Sequence, residues 1–201
     1  AVFLILLILV TQFNAFSSPA IILSSVVLSL AGVFLGIVIS RNDFVIIMTM
    51  IGIISLAGIV VNNAIVLVDY TNLIRKRKRE KLNLDELALS SDEDFRASVI
   101  EGGKTRLRPV LLTAITTILG LFPLASGLNI NFFTLISDWD PQIFFGGDNV
   151  IFFKPMSLAI IYGLTFATFL TLVVVPIMYY SIYKFKVWLF EKLNWTIKID
   201  L

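Results

Sequence analysis

The chain has 201 residues, of which 58% are hydrophobic, and its mean hydropathy of +0.93 lies far from the balance of a water-soluble globular domain. The 16 Lys and Arg residues against 14 Asp and Glu leave a net charge of +2. Cysteine and histidine are absent, which excludes disulfides, thiolate metal sites, imidazole ligands and imidazole proton relays.

In chain order, the first apolar run is "AVFLILLILVTQF", Ala1 to Phe13. As a helix it would rise about 20 Å, short of the roughly 30 Å of bilayer hydrocarbon. No basic region precedes it and no small-residue cleavage site follows, so it reads as the tail of a span cut at its start, not a signal peptide. The chain is accordingly expected to be a piece of a longer polytopic protein. Asn14 to Pro19 supplies a turn. Four further runs approach or exceed the roughly 20 residues of a spanning helix: Ala20 to Ser40, Val45 to Val68, Pro109 to Gly127 and Met156 to Tyr180. Their continuity predicts helices, because a barrel would show alternating segments of about ten residues. The expected fold is an all-α polytopic transmembrane helix bundle with four complete spans and a truncated one. The segments are 1–13, 20–40, 45–70, 106–127 and 156–182, with a connector over 71–105, a loop over 128–155 and a tail over 183–201.

Charge orients these spans. Ten of the Lys and Arg residues fall between Arg75 and Arg108, and four more are Lys184, Lys186, Lys192 and Lys198. The positive-inside rule puts both segments in the cytoplasm, whereas Ser40 to Phe44 and Gly127 to Pro155, with only Arg41 and Lys154, belong outside. The run "RKRKREK", Arg75 to Lys81, follows a span directly, so it reads as topology and attraction to anionic headgroups, not as a nucleic-acid patch. Beyond it, "SSDEDFRASVIEGG" predicts a short connector helix along the membrane surface. Ser91 and Asp94 have capping-box spacing, Phe95 and Val99 share a face, and Gly102 ends it. In the outer loop, two aromatic runs flank Gly146 and Gly147, as in a small hairpin or an interfacial anchor. Asp138, Asp140 and Asp148 lack calcium-loop spacing. At the end, "KFKVWLFEKLNW" sets Trp188 and Trp195 seven apart with lysines between, as in an interfacial helix.

Polar residues inside the spans are the candidates for function. In "GIVVNNAIVLVDY", Asn62 and Asp69 recur at i and i+7 on one helix face, with Asn63 beside it. Asn62 lies within the hydrocarbon and Asp69 approaches the inner headgroups. An unpaired amide in lipid costs several kcal/mol, so Asn62 and Asn63 must face other helices or a wet cavity. They serve either as interhelical hydrogen-bonding glue or as the border of a charge-transfer pathway. In "KTRLRPVLLTAITTILG", Arg106 and Thr113 share a face, followed by Thr116, Thr117 and Gly120. Arg106 either snorkels to the interface or turns inward toward an acid; the threonines can bond their own backbone and pack. Gly32 and Gly36, and Gly163 and Ala167, fit close helix contact.

Taken in order, "GIVVNNAIVLVDY", "TRLRPVLLTAITTILGLFPLA" and "GLTFATFLTLVVVPIMYY" resemble the end of resistance-nodulation-division (RND) efflux transporters of the acriflavine-resistance type, over nearly the whole chain. The resemblance implies the last five of twelve membrane helices of a proton-driven antiporter for drugs and amphiphiles in the bacterial inner membrane. It implies a multi-pass chain with a cytoplasmic C-terminus, and makes 128–155 a periplasmic loop. The implied partners are the remainder of the same chain, two further copies in a homotrimer, a periplasmic adaptor, an outer-membrane channel and the lipid bilayer, with no nucleic acid and no cofactor. Arg106 and Thr113 match the arginine and threonine of the family's proton relay, with Asn63, Asp69 and Thr117 as polar neighbours. Asn62 stands where the family has a relay lysine; it cannot carry charge, though it could hydrogen-bond a protonated aspartate. The metal-exporting branch has a glutamate in the corresponding motif, so its absence favours organic substrates. The alternative is a non-transporting membrane scaffold or assembly subunit whose polar residues only pack helices. A membrane enzyme is third, since no nucleophile and base pair or metal-ligand set lies within the spans.

Overall fold

The computed structural model describes residues 2–13, 17–81, 92–130, 136, 139 and 143–193. Its elements are helices α1 (Val2–Phe13), α2 (Ser17–Ser40), α3 (Ile46–Lys81) and α4 (Asp92–Ser126), strands β1 (Leu128–Ile130) and β2 (Ile143–Phe145), and helix α5 (Asp148–Leu193). Four helices are long and apolar enough to cross a membrane, over Ser17–Ser40, Ile46–Lys78, Glu93–Ser126 and Val150–Leu189, while α1 is shorter. The architecture is the all-α polytopic bundle expected from the apolar runs.

Local chemistry lets these helices form in lipid. Pro19 stands in the first turn of α2, where its missing N–H breaks no helical bond. On the buried face of α2, the hydroxyls of Ser24, Ser25 and Ser29 donate to the carbonyls of Ile21, Ile22 and Val26 at 2.6, 2.6 and 2.7 Å. Each serine thereby satisfies its donor within its own helix. The end of α2 is a Schellman cap. The Asn42 amide donates to Ile37 O and the Arg41 amide to Val38 O, both at 3.3 Å, with Arg41 left-handed at φ 52°.

Helix α5 is the spine, packing against α2, α3 and α4. Its run against α2 is antiparallel, with Gly36 beside Tyr162, Gly32 beside Phe166 and Ser24 beside Met178. Against α3 it is parallel: Gly52 lies beside Met156, Gly163 beside Leu56, and Arg75 beside Tyr179. Helix α4 is again antiparallel, Phe95 stacking on Tyr183 at one end and Gly127 meeting Val150 at the other. The directions alternate so that the basic segment after Arg75, the start of α4 and the end of α5 share one end of the bundle. The turn over 41–45 and the β1–β2 ribbon share the other. The expected small-residue contacts are present: a Cβ at Gly32 or Gly36 would overlap Phe166 or Tyr162, and one at Gly163 would lie 2.6 Å from Val33 Cγ2.

Three local expectations are corrected. Gly102 does not end a short connector helix; α4 runs unbroken from Asp92 through Gly102, Gly103 and Pro109 to Ser126. The roughly 1 kcal/mol cost of a helical glycine is outweighed by tertiary packing, because Gly102 sits directly against α3: an added Cβ would lie 2.7 Å from Thr71 Oγ1. Ser91, the proposed cap, lies outside the described residues. The two aromatic runs around Gly146 and Gly147 do not pair with each other. Ile143–Phe145 instead pairs antiparallel with Leu128–Ile130, in the register Leu128↔Phe145, and "NVIFF" is the first turns of α5. Gly146 and Gly147, at φ 102° and 110°, make the turn from strand to helix that a side chain would resist. Finally, Trp188 lies on the last turns of α5, not on a separate helix, with Phe185 stacked on it and Lys192 Nζ 5.0 Å from its ring centroid. Trp195, Asp138 and Asp140 lie outside the described residues.

The α2–α5 contact generates a test. Gly36→Val is expected to lower the stability of the full-length protein by about 1–3 kcal/mol, because Tyr162 is overlapped near its backbone. Gly103→Ala, whose added Cβ meets nothing within 4 Å, should leave it unchanged or slightly raised. Melting temperatures in detergent compare the two.

Candidate functional site

The polar positions of α3 separate by face. Asn63 is buried among Val60, Ala64 and Leu67, whereas Asn62 and Asp69 are exposed. Ser55, Gly58, Asn62, Asp69 and Leu73 form an exposed stripe at helical spacing, so Asn62 stands where no described helix of this chain covers it. Among the described residues no hydrogen bond engages its amide.

On α4, Thr113 donates to Val110 O at 2.9 Å, Thr116 to Leu112 O at 2.8 Å and Thr117 to Thr113 O at 2.7 Å. Their hydroxyl hydrogens are used within the helix, leaving lone pairs as acceptors. Arg106, one turn beyond Gly102 and half-buried, turns toward α3: its guanidinium carbon lies 4.2 Å from the Tyr70 ring centroid. Its Nε is buried without a hydrogen-bond partner. Arg106 and Thr113 are thus on one helix, about 10 Å apart along its axis. Among the described residues, no hydrogen bond or ion pair joins either of them to Asn62. The ion pair the described residues do form, Lys78 Nζ to Glu101 Oε2 at 3.8 Å, is exposed and weak.

A second cation lies deeper. Arg75 is 7% exposed, with its guanidinium carbon 4.6 Å from the Phe95 ring centroid and 6.0 Å from that of Tyr179. Its Nη1 donates to the Tyr179 hydroxyl at 2.9 Å, and that hydroxyl donates to Asn72 Oδ1. Phe95 is fully buried, its ring stacked on Tyr183 at 3.8 Å and on Tyr179 at 5.5 Å. One charged side chain therefore joins α3, α4 and α5. Sequence reasoning absorbed Arg75 into a basic run. The signal that finds it is the α3 core stripe, Val60, Ala64, Leu67, Thr71 and Arg75, extended past the last apolar turn at unchanged spacing.

Four long apolar helices in alternating directions, with the cations gathered at one end, define the membrane domain of a polytopic α-helical protein. Residues 1–129 match the profile of the AcrB/AcrD/AcrF family. Among curated proteins, the chain is 37% identical over 186 residues to the swarming motility protein SwrC of Bacillus subtilis, covering 92% of this chain and 15% of that protein. It is 32% identical over 174 residues to the nickel and cobalt resistance protein CnrA of Cupriavidus metallidurans (85% and 13%). It is 28% identical over 167 residues to the multidrug resistance protein MdtC of Erwinia tasmaniensis (83% and 13%). The crystal structure of a heavy metal efflux pump superposes with a TM-score of 0.64 at 24% identity, over 91% of this chain and 14% of that one, a likeness of fold. The chain belongs to the AcrB/AcrD/AcrF family of RND transporters. It spans between 9 and 15% of the length of the curated relatives compared.

The Arg75 cluster makes its own prediction. Phe95→Ala should cost about 3–5 kcal/mol, because it empties the contact that holds the first turns of α4 to the bundle. Limited trypsinolysis of the full-length protein is expected to cut between Arg75 and Arg108 at least tenfold faster in the variant, by the population shift that such a loss gives.

Proposed function

We propose that this chain is the C-terminal part of the membrane domain of a proton-driven efflux pump for organic amphiphiles, and that Arg106 is the cation of its proton-coupling cluster. The observation that carries the reading is the environment of Arg106: a half-buried guanidinium whose Nε has no hydrogen-bond partner, with no carboxylate in ion-pair range among the described residues. A cation at a helix contact in a membrane domain needs a counter-charge, none is in ion-pair range among the described residues, and we assign the acid to a helix outside this chain. A carboxylate that alternates between ion pairing with Arg106 and carrying a proton would couple proton entry to helix movement. Thr113, on the same helix, offers an acceptor to the protonated acid, and Asn62, on the uncovered stripe of α3, offers both an amide donor and an acceptor. Asn63, Thr117 and Asp69 are neighbours of this cluster, Asn63 as core packing and Asp69 at the interface.

The neutral Asn62 and the lack of a carboxylate within α3 before Asp69 favour organic substrates over metal ions. Relatives named for multidrug and for metal resistance both match this chain, so the substrate is decided by the rest of the protein. In the complete pump the partners are the preceding part of the same chain, two further copies, a periplasmic adaptor and an outer-membrane channel. The basic end of the bundle faces the cytoplasm of the inner membrane, by the positive-inside rule.

Arg106→Ala in the full-length pump is expected to abolish export of cationic amphiphiles while expression and assembly stay at wild-type level; retained export sinks the role of Arg106. Thr113→Val should lower export less, by roughly the tenfold that one lost hydrogen bond of about 1.4 kcal/mol represents. The isolated chain in liposomes is expected to carry no specific proton flux, and flux above that of empty liposomes would contradict the assignment of the proton-binding acid to the rest of the pump.

A further inference from the structure

We propose that Tyr70 is the positioning residue of Arg106: its ring face holds the guanidinium in place without neutralising it. The proposal rests on the reading of Arg106 as the coupling cation. Along the α3–α4 contact three pairs follow one another: Arg75 with Phe95, Thr71 with Gly102, and Tyr70 with Arg106. The two cation–ring contacts point in opposite directions, the first cation on α3 and the second on α4. Between them, Gly102 lets the helices come close enough that an added Cβ would lie 2.7 Å from Thr71 Oγ1. The guanidinium carbon of Arg106 is consequently brought to 4.2 Å from the Tyr70 centroid, well inside the range of cation–π attraction.

What a ring does for this cation differs from what an acid would do. A carboxylate at position 70 would take two N–H groups of the fork and cancel the charge. The ring face attracts the charge and takes none of the five donors, so the four Nη–H groups remain for an acceptor outside this chain. The Nε–H is buried against α3 without a hydrogen-bond partner, so the stem is held by packing and the ring, not by an acid. The neighbouring acid Asp69 is exposed, and no described ion pair links it to Arg106. Tyr70 thus sets where the guanidinium waits and leaves its release to a carboxylate energetically accessible. Arg75, clamped by Phe95 and Tyr179, holds the same stretch of α3 in register.

The test is export of a cationic amphiphile, taken from ethidium, acriflavine and benzalkonium, by cells carrying the full-length transporter, with Arg106→Ala as reference. Tyr70→Phe, which keeps the ring, is expected to stay within about twofold of wild type. Tyr70→Leu should lose roughly three- to thirty-fold at equal membrane level, the range that cation–π attraction spans. Mono-, di- and trifluorinated phenylalanine at position 70 keep the shape while draining charge from the ring face, so export should fall stepwise with fluorine number. A Tyr70→Leu pump as active as wild type overturns the role of Tyr70. So does a flat fluorine series, even where the leucine variant inserts poorly, because that series preserves packing. An active Arg106→Ala pump overturns the reading beneath it, whereas an inactive one beside a flat series overturns Tyr70 alone. A wild type that exports none of the three probes overturns the amphiphile reading and this inference with it.

Discussion

In hydrocarbon, apolar side chains gain nothing by leaving lipid for one another, so helices cohere where their backbones can approach closely. In this protein that approach runs along α5. Gly32 and Gly36 of α2 admit Phe166 and Tyr162, Gly52 of α3 meets the Met156 carbonyl, and Gly163 of α5 receives Leu56 and Val33. At Gly163 three helices meet at one residue without a side chain. The rest of the fold depends on this spine: the alternation of helix direction, the gathering of cations at one end, and the faces that α3 and α4 leave open.

The basic end is built on a different interaction. Arg75 and Arg106 are both drawn into the α3–α4 contact, and both are met by aromatic rings instead of acids. An ion pair there would be strong in low dielectric and therefore slow to exchange. Rings hold cations at a cost in mobility that is smaller, and they also satisfy the packing requirement of a helix crossing. Both leave a buried Nε without a hydrogen-bond partner, but Arg75 is enclosed and its Nη1 donates to Tyr179, while no described hydrogen bond engages the half-buried Arg106.

Much of this was legible before any coordinates. Continuous apolar runs can form only helices in a membrane, so four spanning helices and the shorter α1 follow from hydropathy. The joint placement of Asn62 and Asp69 on one face follows from helical spacing alone, whereas spacing put Asn63 merely beside that face and its burial in the core needed the packing of the neighbouring helices. The continuity of α4 was not legible, because two consecutive glycines and a proline are local signals of a break, and the packing that overrides them is nonlocal: Phe95 on Tyr183, Gly102 on Thr71. The β1–β2 ribbon was misassigned for the same reason, since Ile143–Phe145 finds its partner across the loop and not across the glycines. Arg75 was hidden by its neighbours: in a run of cations, composition cannot say which one faces inward. No hydrogen-bond or ion-pair partner of Asn62 or Arg106 lies among the described residues, so helical spacing had no contact there to anticipate.

The unbroken course of α4 has a mechanical consequence. At 1.5 Å per residue its 35 residues make a rod of roughly 52 Å, nearly twice the hydrocarbon thickness, with Phe95 near one end and Arg106 three turns further along the same face. A hinge at Gly102 would have let the outer part swing while the inner part stayed still. In a continuous helix, by contrast, pivoting about the close contact at Thr71 would move Phe95 and Arg106 in opposite directions, and axial rotation would carry both through the same angle. Events on the water-exposed turns and events at the guanidinium are thereby two ends of one lever, with the glycine as its fulcrum.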